Sequence, residues 1–322
     1  MRQALLTITL SPLLLVGCVK DSSDSNDSSS PQNNSPAPQS PGTSTKKDLF
    51  VCDTRDLDSN SRRQIANLFA EKKSAFEYST KAQTASFPVY FHVIGRDSSE
   101  QSREVPDEAL VEQIDVLNRA YSGKTGGEAT PYRFTMGGIN HVNKTQWRTI
   151  SPGSTEEKEM KKALRVGDIK TLNVYVTDIV PPSSQNVKGK ILGFATFPFT
   201  YRMQPTMDGV VLNYRVVPGS DVPNYNTGHV LVHEIGHWLG LFHTFTGGCA
   251  SPINDLINDT PREAVPTPGN YCPAKRDSCP EAPGLDPIHN HMGYTNDGCR
   301  TEFTQGQVAF MRFNMLLFRG IQ

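Results

Sequence analysis

Apolar and polar positions between residues 87 and 217 predict a series of strands. Segments rich in β-branched and aromatic residues, with apolar residues at alternate positions, are typical of strands. Five segments have this character: 87–95, 132–142, 172–180, 191–198 and 209–217. Only a loop separates the last two, so we expect them to pair as a hairpin at the edge of a sheet.

Two helices are predicted within the same region. The first begins at Asp107 and closes at Gly123. Its apolar face consists of Leu110, Ile114, Leu117 and Tyr121. A charged segment at 156–164 predicts the second helix. Strands and helices that follow one another in this way indicate a sheet covered by helices.

The flanking segments have less regular patterns. Residues 48–86 contain one helical pattern, formed by Ile65, Leu68, Phe69 and Phe76, and are too few to fold alone. Residues 247–300 are rich in Pro, Gly, Asp and Asn and contain four cysteines, which predicts irregular structure that depends on covalent links. A final amphipathic helix is predicted at 305–318.

The first eighteen residues have the pattern of an export signal. Arg2 precedes an apolar segment, 4–16, that is too short to cross a bilayer. The segment ends in Val16-Gly17-Cys18, which resembles the lipobox of bacterial lipoproteins, in which the cysteine carries lipid. The sequence therefore predicts a lipid anchor at Cys18. An ordinary secretory signal that contains a cysteine is the alternative.

Composition predicts a linker after this signal. Residues 19–47 consist mainly of Ser, Asp, Asn, Pro and Gln, with too few apolar side chains to offset the entropy lost on ordering. A flexible linker of this size spans about 30 Å in root-mean-square distance. It would hold a folded domain away from a lipid surface.

The charge balance excludes one class of partner. The 322 residues include 32 Lys and Arg and 33 Asp and Glu, which gives a formal net charge of −1. Such a chain has no overall field that would attract nucleic acid. We therefore expect no nucleic-acid partner.

The segment HEIGHWLGLFH contains a metal-ligand pattern. His233 and His237 are four residues apart, so on a helix both rings can reach one ion. Gly240 can take a positive φ, which ends the helix and lets His243 turn back as the third ligand. Three neutral imidazoles with an open fourth position are typical of catalytic zinc. Glu234 lies beside the pair and has no duty in a structural metal site, although a zinc protein that has lost activity is the alternative.

HExxHxxGxxH is the motif of the metzincin clan, and later segments resemble one family within it. HNHMGYTNDGC at 289–299 resembles the Met-turn that lies beneath the zinc. Three further segments carry the resemblance: HTF at 243–245, NDLINDTP at 254–261 and EFTQGQVAFM at 302–311. Together they resemble the pappalysin family in its short bacterial and fungal form.

The resemblance implies a fold and an activity. The fold would be α+β and metzincin-like: a twisted mixed sheet with an active-site helix, two long helices above the cleft and an irregular, disulfide-stapled C-terminal subdomain. The activity would be zinc-dependent hydrolysis of protein or peptide substrates, with Glu234 as general base. Met292 would form a floor under the zinc. Tyr294 would donate to the transition-state oxyanion, or it is simply a packing tyrosine.

The resemblance also implies disulfides and a second ion. The four late cysteines allow three connectivities, and the family pattern implies Cys249–Cys279 and Cys272–Cys299. Asp255, Asp259 and Thr260 resemble a calcium-binding loop of the family. A turn rich in Asn and Asp with only capping duties is the alternative.

Cys52 remains after these cysteines are assigned, and it suggests latency. Family precursors carry a cysteine in a short pro-segment, and a thiolate is a good zinc ligand that would displace the catalytic water. Here Asp53 follows Cys52, where the commoner version has Gly. A free or intermolecular thiol is the alternative.

These interpretations divide the chain into four parts. We expect a signal with a lipobox at 1–18, a disordered linker at 19–47, a pro-segment at 48–86 and a metalloprotease catalytic domain at 87–322. The pro-segment would be cut somewhere between residues 62 and 87. An export signal and paired cysteines both indicate a cell-envelope or extracellular location.

Two segments bear on the substrate. The strand predicted at 191–198 resembles the edge on which such enzymes lay an extended peptide, with Gly193 to Thr196 offering backbone groups. Some relatives prefer a basic residue after the scissile bond because of an acid directly before the last cysteine. Here Gly298 has that position and the acid is Asp297, so its carboxylate is expected to point elsewhere.

Overall fold

The computed structural model describes residues 49–78, 84–95, 105–182, 189–269 and 272–321. The predicted export signal, Cys18 and the predicted linker at 19–47 lie outside these residues. Within the described ranges no helix has both the length and the apolar character needed to cross a bilayer.

A twisted mixed sheet organises the described domain. Its strands are β1 (Leu49–Cys52), β2 (Ala85–Gly95), β3 (Tyr132–Asn143), β4 (Thr149–Ile150), β5 (Leu172–Ile179), β6 (Gly189–Ala195) and β7 (Val210–Asn213). They lie in the order β1-β6-β7-β5-β2-β3, and β4 pairs with β5. β6 and β7 are antiparallel, whereas the other pairs are parallel.

Five α-helices accompany the sheet in the described residues. They are α1 (Ser59–Tyr78), α2 (Asp107–Tyr121), α3 (Thr155–Leu164), α4 (His229–Trp238) and α5 (Gln305–Asn314), and a π-helical turn (Met315–Arg319) continues α5. Short 3₁₀ turns are Thr145–Trp147, Pro198–Thr200, Pro205–Met207 and Tyr214–Val216. Residues 239–304, apart from the undescribed 270–271, contain no strand or helix beyond an isolated bridge.

The core lies between the sheet and helices α2, α4 and α5. Apolar side chains from β2, including Phe87 and Phe91, are almost completely buried, as are Leu110 and Leu117 of α2. Burial of these side chains is the main favourable contribution to folding, on the order of 2 kcal/mol for each large apolar side chain. The hydroxyl of Tyr121 donates to the carbonyl oxygen of Val232 at 2.9 Å, which fixes α2 against α4.

A buried ion pair connects the C-terminal turn to the sheet. Arg319 donates to both carboxylate oxygens of Asp208, at 2.6 and 3.0 Å. Trp238, the last residue of α4, donates its indole N–H to the same carboxylate at 3.0 Å. Asp208 therefore anchors the end of α4 as well as the chain terminus.

The structure corrects four details of the sequence prediction. The strand predicted at 87–95 begins two residues earlier, at Ala85. The strand predicted at 209–217 ends at Asn213, whose side chain accepts from the N–H of Arg215 and starts a 3₁₀ turn. β6 and β7 do pair as predicted, but β7 lies inside the sheet and β1 covers the outer side of β6. The final α-helix ends at Asn314.

Candidate active site

Helix α4 carries the first half of the site. It begins after Gly228, which has a φ of +87°, and ends just before Gly240, which has a φ of +105°. This positive φ is favourable only for glycine, and a side chain at Gly240 would also collide with Asn314. The turn brings the chain back past Leu241 to His243, as the sequence predicts.

Three imidazoles converge at this turn. The Nε2 atom of His237 lies 3.1 Å from Nε2 of His233 and 3.1 Å from Nε2 of His243. All three rings are buried. Burial lowers the pKa of His233 well below its ordinary value and that of His237 to about 3, so these two rings are neutral.

Backbone carbonyls fix the tautomer of two of these rings. Nδ1 of His233 donates to the carbonyl oxygen of His291 and Nδ1 of His237 donates to that of Leu241, each at 2.7 Å. The Nε2 lone pairs therefore face one another, an arrangement that a cation would stabilise. This donor set fits a zinc ion with three nitrogen ligands.

Glu234 lies beside the three imidazoles in a buried position. Burial raises its pKa to about 8. Its Oε2 atom accepts from the hydroxyl of Thr54 at 3.0 Å and from the thiol of Cys52 at 3.3 Å. Gly193 of β6 lies directly against the Glu234 side chain. A Cβ at Gly193 would lie only 2.9 Å from a carboxylate oxygen of Glu234. No lysine or arginine in the described ranges forms a salt bridge with this carboxylate.

Met292 and Tyr294 lie on the loop beneath the histidines. Met292 is completely buried, and its sulfur occupies the space that a side chain at Gly236 would need. The ring of Tyr294 is centred 5.1 Å from that of His243 and 5.8 Å from that of His233. Its hydroxyl donates to the carbonyl oxygen of Cys52 at 2.8 Å. Met292 thus packs against helix α4, and the ring of Tyr294 lies beside two of the three imidazoles.

The sequence model of a peptidase family, described as pregnancy-associated plasma protein-A, matches residues 155–316. This range contains the three histidines, Glu234, Met292 and Tyr294. The chain belongs to the pregnancy-associated plasma protein-A family. It is therefore a metalloendopeptidase, and the pappalysin resemblance of its motifs is confirmed.

Fungal relatives in this family resemble the chain along most of its length. An extracellular metalloprotease of Sordaria macrospora is 39% identical, over 81% of this chain and 86% of that protein. One from Neurospora crassa is 38% identical, over 80% of this chain and 85% of that protein.

Solved structures show the same fold. A promirolysin mutant of Tannerella forsythia superposes with a TM-score of 0.64 at 27% identity, over 82% of this chain and 92% of that one. Mature mirolysin of the same organism, in complex with a cleaved peptide, gives a TM-score of 0.58 at 27% identity, over 74% and 97%. The mixed α+β metzincin-like fold expected from the motifs is confirmed.

The segment predicted to be a pro-segment contacts the site through alternate residues. Cys52 Sγ and the ring nitrogens of His233, His237 and His243 all lie within 4.8 Å of one another. Two residues later, Thr54 contacts Glu234 and accepts from the N–H of Ala195 at 2.8 Å.

Asp56, two residues after Thr54, is the third alternate residue of this segment that contacts the site. Its Oδ1 atom lies 3.5 Å from Nδ1 of His243, and its other oxygen accepts from the hydroxyl of Thr246. The nearby imidazole and these hydrogen bonds outweigh burial and lower the pKa of Asp56. Sequence reasoning identified Cys52 but missed Thr54 and Asp56. Their spacing from Cys52, which places them on one side of an extended chain, was the available signal.

Both late disulfides are formed. Cys249 is bonded to Cys279, and Cys272 to Cys299, which is the connectivity that the resemblance implied. Each bond links residues about 30 positions apart, and the chain-entropy model gives about 3.5 kcal/mol of stabilisation for such a loop. They stabilise a region with little regular secondary structure.

The three residues of the suggested calcium loop have other partners in this structure. Asp255 accepts from the Thr260 hydroxyl at 2.6 Å and from the N–H of Ile257 at 3.2 Å. Asp259 accepts from the Thr304 hydroxyl at 2.7 Å and from the N–H of Gly306 at 2.8 Å, at the start of α5. These are the turn and capping contacts of the alternative interpretation.

Proposed function

We propose that this metalloendopeptidase binds zinc through His233, His237 and His243 and uses Glu234 as its general base. The observation that carries this proposal is the convergence of three buried Nε2 atoms beside a buried carboxylate. In the described ranges this carboxylate forms no salt bridge with a lysine or arginine, and its hydrogen bonds come from Thr54 and Cys52 of the removable segment. It is therefore suited to move protons once that segment leaves.

When bound, zinc supplies Lewis-acid activation of water and polarisation of the scissile carbonyl. Glu234 accepts a proton from the attacking water at a carboxylate oxygen. It then passes that proton to the nitrogen of the leaving amine. In the precursor the Tyr294 hydroxyl donates to the carbonyl oxygen of Cys52. Once the pro-segment has left, this hydroxyl donates to the developing oxyanion.

Substituting Glu234→Gln tests the general base. The variant should retain one zinc per chain, because Glu234 is not a ligand, and should lose kcat/KM by about 10³-fold. Zinc content and peptide hydrolysis are both measured on matured protein. Glu112→Gln on the exposed face of α2 is the control. Stoichiometric zinc without cleavage of any peptide in a broad library by the unsubstituted enzyme would instead favour a protein in which zinc only braces the fold.

We further propose that residues 48–86 form a pro-segment that keeps the enzyme latent. The contacts of Cys52 and Thr54 with the site support this interpretation. β1 occupies the outer edge of β6, with Leu49 opposite Gly189 and Cys52 opposite Gly193. A substrate could not reach either the edge or Glu234 while β1 is bound. Removal of the segment opens the β6 edge, including Gly193 to Thr196, to an extended peptide.

The latency proposal is tested by Cys52→Ala in the precursor. Loss of the thiol removes a zinc ligand, so we expect a shorter lag before autoactivation. The Cys52→Ser variant keeps a small polar group, so its lag should be intermediate between those of the natural precursor and Cys52→Ala. A lag that Cys52→Ala leaves unchanged would refute a role for this cysteine. The cut is expected before Ala85, because β2 begins there.

The location is proposed from the first eighteen residues and from the relatives. The fungal relatives are named extracellular metalloproteases, which supports export of this chain. Cys18 would then carry a lipid, and the linker at 19–47 would hold the enzyme away from the membrane until the pro-segment is cut. Mass spectrometry of the precursor's N-terminus distinguishes a lipidated Cys18 from a simple secretory signal, and mass spectrometry of the mature N-terminus locates the cut.

Calcium binding by Asp255, Asp259 and Thr260 stays a prediction. Their oxygen atoms suit calcium chemically, but the contacts described above also satisfy them without an ion. Thermal unfolding with calcium and with a calcium-selective chelator tests it. A melting temperature that rises with calcium in the natural enzyme but not in Asp255→Asn would support the site.

A further inference from the structure

A small pocket, a cavity of about 20 Å³, lies directly beside the general base. His233 and Glu234 form one wall, and Leu192 and Val230 supply an apolar lining. Arg300 also lines the pocket. Cys52 also lines it, so removal of the pro-segment enlarges this space.

The position of the pocket determines which part of a substrate enters it. Glu234 returns its proton to the leaving amine in the proposed mechanism, so the residue that contributes this amine must lie on the Glu234 side of the site. The pocket adjoins His233 and Glu234 and does not touch His237 or His243. It therefore receives the side chain directly after the scissile bond.

Both oxygens of Asp297, the acid expected to influence this pocket, already accept hydrogen bonds. Asp297 accepts from Arg300 Nη2 at 2.7 Å through one oxygen. Its other oxygen accepts from the N–H of Thr227 at 3.0 Å and from the Thr227 hydroxyl at 2.9 Å. Asp297 is buried and does not line the pocket. The sequence-based expectation that this carboxylate points elsewhere agrees with these contacts.

Arg300 lines the pocket and keeps one guanidinium donor that its ion pair with Asp297 leaves free. The residue is 4% exposed, and its Nε atom has no hydrogen-bond acceptor among the described residues. A buried guanidinium donor without an acceptor is unfavourable until a ligand or water supplies one. A lysine or arginine of a substrate would meet a like charge here, whereas a carboxylate would complete the hydrogen bonding.

We propose that Arg300 makes this enzyme select an acidic residue directly after the scissile bond. The methylene groups of a glutamate would pack against Leu192 and Val230, and its carboxylate would accept from the Arg300 guanidinium. This inference rests on the proposed endopeptidase function. It identifies Arg300 as a specificity-determining residue of that site.

The experiment measures kcat/KM of the matured, zinc-loaded enzyme on four peptides that differ only after the cut: Glu, Gln, Leu and Arg. We expect Glu to exceed Gln by about tenfold, as charge-assisted hydrogen bonds are stronger than neutral ones, and Arg to be the poorest. In Arg300→Met the ratio of Glu to Leu should fall at least tenfold, and Arg300→Lys should retain part of the preference. Arg215→Met, which removes an arginine paired with Asp221 outside the pocket, is the control and should leave the ratios unchanged.

Three results would overturn the inference. They are a preference for Arg in the unsubstituted enzyme, equal rates for Glu and Gln, and an unchanged Glu to Leu ratio in Arg300→Met. The first two need no variant, so the test holds even if Arg300→Met fails to fold. Cleavage of none of the four peptides or of a broad library would count against the proposed function itself, which separates the two failures.

Discussion

The hydroxyl of Thr54 donates to Glu234 at 3.0 Å, and the same oxygen accepts from the backbone N–H of Ala195 at 2.8 Å. One side chain of the N-terminal segment thus connects the proposed general base to the β6 edge. Cys52 contacts the same carboxylate. Latency in this chain would therefore depend on occupying the base as well as the metal ligands.

Replacing Thr54 by Val should weaken latency while keeping the shape of the side chain. The substitution removes both hydrogen bonds of the hydroxyl. It leaves the buried N–H of Ala195 without an acceptor, at a cost of about 1–3 kcal/mol, and Glu234 keeps only the weaker contact from Cys52. We expect the Thr54→Val precursor to autoactivate at least tenfold faster. The measurement is the lag before hydrolysis of a reporter peptide.

Thr54→Ser is the matched control for this prediction. It keeps the hydroxyl, so its lag should resemble that of the natural precursor. If Thr54→Val and Thr54→Ser activate at the same rate, the hydroxyl has no part in latency, and the effect would belong to Cys52 alone.

The metal site could be predicted from the sequence because its geometry is local. His233 and His237 lie one helical turn apart, and Gly240 can adopt the conformation that returns the chain to His243. The strands at β2, β3 and β5 could be predicted for a similar reason, since each carries its own apolar pattern over eight or more residues.

Features that depend on distant partners could not be predicted. β1 has only four residues, and its conformation depends on pairing with β6 far along the chain. The ion pair between Arg300 and Asp297 depends on how an irregular loop folds. Local patterns carry no information on either arrangement. Because β1 was missed, the alternate spacing of Thr54 and Asp56 from Cys52 was not interpreted as one side of an extended chain.

The contact between Gly236 and Met292 predicts a stability effect. Both residues are buried, and a Cβ at Gly236 would overlap the methionine sulfur. Gly236→Ala should therefore lower the free energy of unfolding by about 1–3 kcal/mol through overpacking, and should weaken zinc binding by shifting the loop. Denaturant unfolding and zinc titration measure the two effects.

Gly95→Ala provides the comparison for Gly236→Ala. A Cβ at Gly95 would have no neighbour within 4 Å, so this substitution should change stability little. Equal unfolding free energies for the two variants would show that Met292 moves aside without cost, and the proposed floor under the histidines would then be soft.

A buried histidine far from the metal ligands predicts acid sensitivity. Burial lowers the pKa of His92 below its ordinary value, against a weaker opposing effect of its hydrogen bond with Asn173. The unfolded chain therefore binds more protons than the folded chain as pH falls below about 6.5. The contribution of His92 to stability is complete above that pH and is lost as pH falls toward its pKa in the folded protein. His92→Gln cannot titrate, so its unfolding free energy should decrease less between pH 7 and pH 5.

Comparing how much the unfolding free energy of each protein decreases between pH 7 and pH 5 separates the effect of His92 ionisation from other changes. His92→Gln also loses the stacking of the ring on Tyr175, which lowers stability equally at both pH values. All variants keep the histidines of the metal site, so their acid sensitivity cancels in the difference between proteins. His141→Gln, which replaces an exposed imidazole paired with Asp107, is the control for replacing a histidine by glutamine. If His92→Gln keeps the pH dependence of the natural protein, the charge on His92 does not govern acid unfolding.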